Sequence, residues 1–186
     1  MRGGSKGVSH KNLRELHGKP LMAYTIEQAL ETALFDHVVV STDSEKIAET
    51  ARTYGAEAWF QRHADLATDE AAKLPAIRHV FQESEKHYGH HFDVLMDMDA
   101  TSPLRKVEDI IEAYQQFINE DADILITACP ARKNPYFNMV ERANGRIQLV
   151  KQLDKTPIRR QDAPTVYDMN ASIYIWKRQV LLKTDT

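Results

Sequence analysis

The sequence predicts an α/β fold, a mostly parallel sheet flanked by helices, on three observations. Short strand-like runs alternate with segments of helical periodicity, as in successive βαβ units. His37-Val38-Val39-Val40-Ser41 is β-branched and apolar enough for a strand covered on both faces. Polar, glycine-rich and hydroxyl-rich loops follow predicted strands or open predicted helices, the edge at which open α/β sheets bind ligands.

Taken in order, Pro20 is placed to start a helix, and Leu21, Met22, Ile26, Ala29, Leu30, Ala33 and Leu34 recur behind it at helical spacing. The strand 37–41 follows. Ser44 is a candidate cap for a helix running towards Tyr54, and Gly55 stops it. A second strand is expected at 56–60. Beyond the loop 62–68 a long helix is expected from near Asp69, with Leu74, Ile77, Val80 and Phe81 on its apolar stripe. A third strand at 92–97 leads into an Asp/Thr/Ser/Pro loop, then a helix over 107–118 and a strand over 124–128. There the rhythm breaks. Runs at 136–141 and 146–151 flank Arg142-Ala143-Asn144-Gly145, and Asn-Gly between such runs signals a hairpin. The chain rejoins the sheet over 172–176.

A chain of 186 residues with 42% hydrophobic content buries one core of ordinary size, so one domain over 1–186 is expected, with a β excursion at 131–168. No long apolar run or signal-peptide core is present, so no membrane association is expected. Cys129 stands alone, which suits the reducing cytoplasm, and is expected as a buried residue at a strand end. A net charge of -3 argues against a nucleic-acid footprint, so any anion must bind at a local basic site. His87, His90 and His91 are expected on a polar loop rather than on a metal.

One such basic site is the opening stretch, Arg2-Gly3-Gly4-Ser5-Lys6-Gly7 with Lys11-Asn12 behind it. Closely spaced glycines let backbone N–H groups converge on an anion, and Arg2, Lys6 and Lys11 add positive charge. The spacing is neither a Walker A loop nor Gly-x-Gly-x-x-Gly, and a flexible terminus has the same composition. Asp97 and Asp99 form a second candidate site. Period-two alternation turns both carboxylates to one face, which suits a hard divalent cation. Equally, one could cap a turn while the other pairs with a neighbouring base.

Further blocks follow the opening loop: Gly18-Lys19-Pro20-Leu21, Val40-Ser41-Thr42-Asp43, Thr101-Ser102-Pro103-Leu104-Arg105, and Arg160-Gln161-Asp162 leading into Asn170-Ala171-Ser172-Ile173-Tyr174-Ile175. In this order they resemble the signature of the cytidylyltransferases that activate sialic acids and related nine-carbon 2-keto sugars. The resemblance covers nearly the whole chain, and the stretch from Asp97 to Arg105 is most similar to the branch handling legionaminic-type sugars. It implies a Rossmann-like nucleotidyltransferase fold with a protruding β-hairpin that makes a homodimer. It also implies transfer of CMP from CTP to the anomeric hydroxyl of a 2-keto-3-deoxy sugar acid, with magnesium and with release of pyrophosphate. Relative to the family, a strand before the opening loop and an acidic C-terminal segment are missing from this stretch of sequence.

Residue by residue, the resemblance gives Arg2, Gly3, Gly4, Ser5, Lys6 and Lys11 the phosphates of CTP, Asn12 the orientation of the nucleotide, and Arg62 the base and ribose. Lys6, Arg2 and Asp99 would be catalytic, with Asp99 and Asp97 as candidate magnesium ligands. Asp99, Thr101, Ser102, Arg105, Arg160 and Tyr174 would meet the sugar. Most sialate-activating relatives carry Gln where Asp99 stands. Arg105 could instead serve the start of the next helix, and Tyr174 could fill the core. A sugar 1-phosphate acceptor, or a nucleotide-binding module without turnover, are the alternative readings.

Overall fold

A computed structural model describes residues 1–4, 7–68, 70–155 and 157–184. The chain forms two compact units, Met1–Ile126 with Ala171–Thr186, and Thr127–Asn170.

The first unit opens with a 3-10 turn, Lys11–Leu13, and a short antiparallel pair, β1 (Glu15–Leu16) and β2 (Lys19–Pro20). Pro20 is the N-cap of α1 (Leu21–Glu31), a position where its missing N–H costs no helical bond. Helical periodicity continues to Leu34, but Ala33 turns left-handed at φ 53° and the helix ends before it. Ser44 occupies the N-cap of α2 (Glu45–Thr53) without a side-chain capping bond, its own N–H being held by Thr42 Oγ1 at 3.1 Å. Gly55, at φ 91°, supplies the left-handed turn that follows α2.

The next helix, α3 (Lys73–Tyr88), starts later than the apolar stripe suggested, and Asp69 itself lies outside the described residues. Pro75 explains the start: a proline is accommodated in the first helical turn and not deeper. Then come β3 (Val94–Met98), α4 (Val107–Asn119) and β4 (Ile124–Pro130). The first turn of α4 is closed by Asp109 Oδ2, which accepts the Lys106 N–H at 2.8 Å.

In the second unit β5 (Val140–Ala143) pairs antiparallel with β6 (Arg146–Leu149). Asn144 and Gly145 between them both have positive φ, 51° and 74°, the requirement of a type I′ hairpin turn. β7 (Tyr167–Lys177) carries the chain back into the first unit, where α5 (Arg178–Lys183) follows. Buried hydrophobic residues of the described chain all lie in the first unit. Cys129, expected in a core, is accordingly exposed, with its Sγ 3.7 Å from Asp168 O.

The sheet has the order β3–β7–β4, and β3 pairs with β7 antiparallel, Asp97 opposite Tyr174. Two isolated bridges are parallel, Val39 with Glu57 and Thr42 with Gln61, and among the described residues 37–41 and 56–60 do not form the expected strands. The reason is lateral. Val38–Val40 bridge Glu57 on one side, and a cavity of about 470 Å³ lined by Ile26, Val39, Phe81, Leu95 and Met96 lies beside them. Pairing at Val39 and Thr42 alone makes bridges rather than a continuous ladder, so the run does not extend into a strand.

Alternation along β7 builds the two-sided core. Ile173 and Ile175 pack with Ile110 and Phe117 of α4, whereas Tyr174 and Trp176 belong with Ile77, Phe81 and Leu181. A further cluster joins Met22 and Ile26 of α1 to Ile47 and Ala51 of α2. No helix of the described residues is long and apolar enough to cross a membrane.

Candidate active site

The opening loop is anchored from three sides. Gly3 donates its N–H to Asp43 Oδ1 at 2.8 Å, and a Cβ at Gly3 would stand 3.0 Å from Ser44 Cβ, so this approach requires glycine. Buried Asn12 donates from Nδ2 to Arg2 O at 3.1 Å, which gives that amide a loop-holding role beside the expected nucleotide contact. Arg2 reaches Thr68 O from Nη1 at 2.6 Å. Lys11 is half-buried, Gly4 has open space where a Cβ would stand, and Ser5 and Lys6 lie outside the described residues.

Arg62 completes the cationic side. Its Nε donates to Ser41 Oγ at 3.0 Å and its Nη2 to Ser41 O at 2.8 Å. Burial draws its pKa down; Asp43 opposes the shift and Arg2 adds to it, which places all three charges in one neighbourhood. Asp43 was quoted within a motif but not singled out, because nothing local reveals that its carboxylate accepts from Gly3, 40 residues earlier.

Asp97 and Asp99 do share one side of the chain. Lys73 Nζ stands 2.6 Å from Asp97 Oδ2, 3.8 Å from Asp99 Oδ2 and 5.1 Å from the centroid of the Tyr174 ring. Burial lowers the Lys73 pKa, but Asp97 and Asp99 outweigh it and the net shift is upward, so the ammonium stays charged. Asp99 Oδ1 accepts both the N–H and the hydroxyl of Thr101, at 3.1 and 2.9 Å, an Asx turn that fixes the carboxylate. Both bland alternatives from the sequence are thus present: one aspartate pairs with a base and the other caps a turn. Lys73 escaped the sequence reading because a helix begun near Asp69 places it among interior positions.

Arg105 requires a correction. It is 8% exposed, and its guanidinium donates to Ser172 O and Oγ, Thr25 Oγ1, Gln28 Oε1 and Asp99 O. The expected substrate contact is therefore replaced by a brace beneath the loop, joining α1, the end of β3 and β7. Ser102 contributes backbone bonds, its N–H to Asp99 O at 3.4 Å and its carbonyl to the Arg105 N–H at 3.2 Å. Arg160 belongs to the second unit, exposed on a 3-10 turn, with Nη2 donating to Arg132 O at 3.2 Å.

The loop and the carboxylates converge. Asp97, at the end of β3, acts on the Arg62 guanidinium together with Asp43 and Arg2. One edge of the unit therefore presents cationic and hydroxyl groups for an anion beside two carboxylates. Asp97 and Asp99 are the carboxylates that would hold a magnesium ion here, a set of two that leaves the remaining positions to waters and phosphates; without it, Lys73 pairs with Asp97 and Thr101 bonds to Asp99. Of the histidines, His87 stacks on Trp59 at 4.0 Å and His91 pairs with Glu85 at 3.1 Å.

Comparison with known proteins gives this edge its context. Over 185 residues the chain is 50% identical to the CMP-N,N'-diacetyllegionaminic acid synthase of Campylobacter jejuni, spanning 100% of this chain and 78% of that protein. It is 49% identical, with the same coverage, to post-translational flagellin modification protein B of Campylobacter coli. Among solved structures, CMP:2-keto-3-deoxy-manno-octonic acid synthetase complexed with CTP superposes with a TM-score of 0.72 at 18% identity, over 98% of this chain and 73% of that one. A 4-diphosphocytidyl-2C-methyl-D-erythritol synthase follows at 0.65 and 12%, over 95% and 75%, so the nucleotidyltransferase fold is common to all of them. The cytidylyltransferase family model matches residues 1–184, and the chain belongs to that family.

Proposed function

We propose that the protein transfers CMP from CTP to the anomeric hydroxyl of a sialic-acid-like sugar acid of the legionaminic type. One observation carries this: the anchored loop of Gly3, Arg2 and Arg62 stands beside the carboxylate-rich end of β3 in a chain half identical to a relative named for that product. The acceptor hydroxyl oxygen attacks the α-phosphorus and gives up its proton to solvent, the bond to the bridging oxygen of the β-phosphate breaks, and pyrophosphate leaves with that electron pair. Such transfers need positioning and charge neutralisation more than covalent help. Arg2, Lys6 and Lys11 hold the phosphates with the Gly3-Gly4-Ser5 backbone, while Asn12 and Arg62 keep the loop and the segment at Ser41 in register beside the nucleotide. Asp99, Thr101, Ser102 and Tyr174 form the acceptor side, and Arg160 offers a planar fork for the sugar carboxylate. Magnesium, held by Asp99 and Asp97, would supply charge neutralisation at the phosphates of CTP.

The second unit pairs with its copy in a homodimer. Val140, Ile147, Tyr167 and Met169 are each 60% exposed or more, and none of the unit's described hydrophobic residues is buried, which supports an apolar face completed by a partner. The reaction is tested by offering CTP with a panel of 2-keto sugar acids and, separately, sugar 1-phosphates, and measuring pyrophosphate. Release with the sugar acids is expected. Release with the phosphates alone would transfer the reading to a sugar 1-phosphate enzyme, and CTP binding without release from any acceptor would reduce it to a binding module.

A further inference from the structure

Lys73 Nζ stands within 4 Å of both carboxylates at the end of β3, yet its two distances are unequal. At 2.6 Å it is a close counter-ion of Asp97; at 3.8 Å it stands off Asp99 Oδ2, whose sister oxygen is already occupied by Thr101. The ammonium carries three N–H donors and sits over the Tyr174 ring, 5.1 Å from its centroid, a cation–π contact that limits where it can swing. Its side chain is 51% exposed and that of Asp99 32%, so the space between them is open to a ligand. An N–H donor and a carboxylate oxygen 3.8 Å apart leave room for one oxygen within hydrogen-bond distance of both.

We propose that Lys73 is a specificity-determining residue of the acceptor site: it neutralises Asp97 and, with Asp99 Oδ2, clamps one hydroxyl of the acceptor sugar. That hydroxyl accepts from Lys73 and donates to Asp99. The arrangement rests on the reading that this edge receives the acceptor. It also answers an electrostatic difficulty, because an anionic sugar acid must approach two aspartates, and Lys73 cancels one of the two charges. A glutamine in place of Asp99 would lack the formal charge and would not need such a lysine beside it, so the Lys73–Asp99 combination selects an acceptor with a hydroxyl at that point.

The test compares wild type, Lys73→Met, Lys73→Arg and the double variant Lys73→Met/Asp97→Asn, with thermal unfolding as a check on folding. CTP affinity is measured by calorimetry, and kcat and KM are measured for the best sugar acid of the panel. Lys73→Met should raise the KM for the sugar acid by roughly 10–100-fold, the effect of losing a charge-assisted hydrogen bond, and leave CTP affinity within roughly twofold. Lys73→Arg should recover part of the loss. The double variant should regain thermal stability, since no carboxylate is left stranded, while the KM stays high. An unchanged KM in Lys73→Met refutes the clamp, and a KM restored by Asp97→Asn reduces Lys73 to a counter-ion and refutes it equally. A wild-type protein that binds CTP but releases no pyrophosphate with any sugar acid overturns the acceptor reading beneath the proposal, a different result from normal wild-type turnover with an unmoved variant.

Discussion

Replacing Arg105 separates a structural brace from a substrate contact. Arg105→Met keeps the length of the apolar stem and removes every N–H of the guanidinium. Of its acceptors, Ser172 O retains the Asp99 N–H at 3.2 Å, and Asp99 O retains Thr25 Oγ1 at 3.3 Å and the Ser102 N–H at 3.4 Å. Neither carbonyl is orphaned, but the charge-assisted bonds that join α1 to β7 are gone. Burial already lowers the Arg105 pKa, against the pull of Asp99, Asp109 and Asp97, so removing the charge also removes a desolvation cost. Bonds to a charged donor contribute about 1.5–3 kcal/mol each and are not additive, so with that offset the net loss should be about 2–4 kcal/mol. Arg105→Lys keeps the charge without the fork and should lose about half as much. Trp59 and Trp176 both lie in the first unit, so urea unfolding followed by tryptophan fluorescence reports on the unit that Arg105 braces. A variant that unfolds within about 0.5 kcal/mol of wild type, as exposed substitutions do, but binds sugar or CTP severalfold more weakly would refute the brace and restore the substrate contact.

Three other outcomes follow from the geometry. Gly3→Ala places a Cβ 3.0 Å from Ser44 Cβ and shifts the loop off Asp43, so CTP affinity should fall by roughly tenfold in calorimetry; an unchanged affinity would mean that the loop does not touch the nucleotide. Tyr88, raised to about 12 by burial and by its bond to Glu57, holds its proton where an unfolded chain would release it. Its contribution is present below about pH 10, the ordinary tyrosine value, and is lost as pH rises towards 12, so the melting temperature should fall across that window less steeply in Tyr88→Phe than in wild type. Ile147→Asp, at a site 62% exposed, should leave the first unit folded and convert a dimer into monomer by sedimentation; a dimer that survives unchanged would move the interface off the hairpin.

What could be read from the sequence was what is written locally. α1 follows from apolar spacing, the bounds of α2 from Ser44 and Gly55, and the hairpin from Asn144-Gly145, whose two positive φ angles few other pairs adopt. Strand character at 37–41 could not be read in the same way, because a β-branched run becomes a strand only where a neighbour pairs with it continuously, and here only Val39 and Thr42 form bridges. The roles of the site residues were least legible. Whether Arg105 faces a ligand or the interior depends on where Ser172 returns, 67 residues later. Lys73 lies 24 residues before Asp97, and no spacing rule connects a helix start to a strand end across that distance.

These long-range contacts also suggest how the two halves of the site are kept apart in function. The acceptor side depends on β7: Tyr174 sits opposite Asp97 in the register and lies under Lys73, and Ser172 O accepts from both the Asp99 N–H and Arg105. The nucleotide side is anchored without β7, through Asp43, Asn12, Ser41 and Thr68. Each half is held by its own set of hydrogen bonds, so substitutions beneath one should alter one substrate's affinity and spare the other's. Arg62, on which Asp43 and Arg2 act from the loop and Asp97 from the end of β3, marks the line between them. On the proposed reading, in-line transfer brings the attacking oxygen and the α-phosphate together at this line, so rigidity of both anchors, rather than any single nucleophile or base, carries the catalysis.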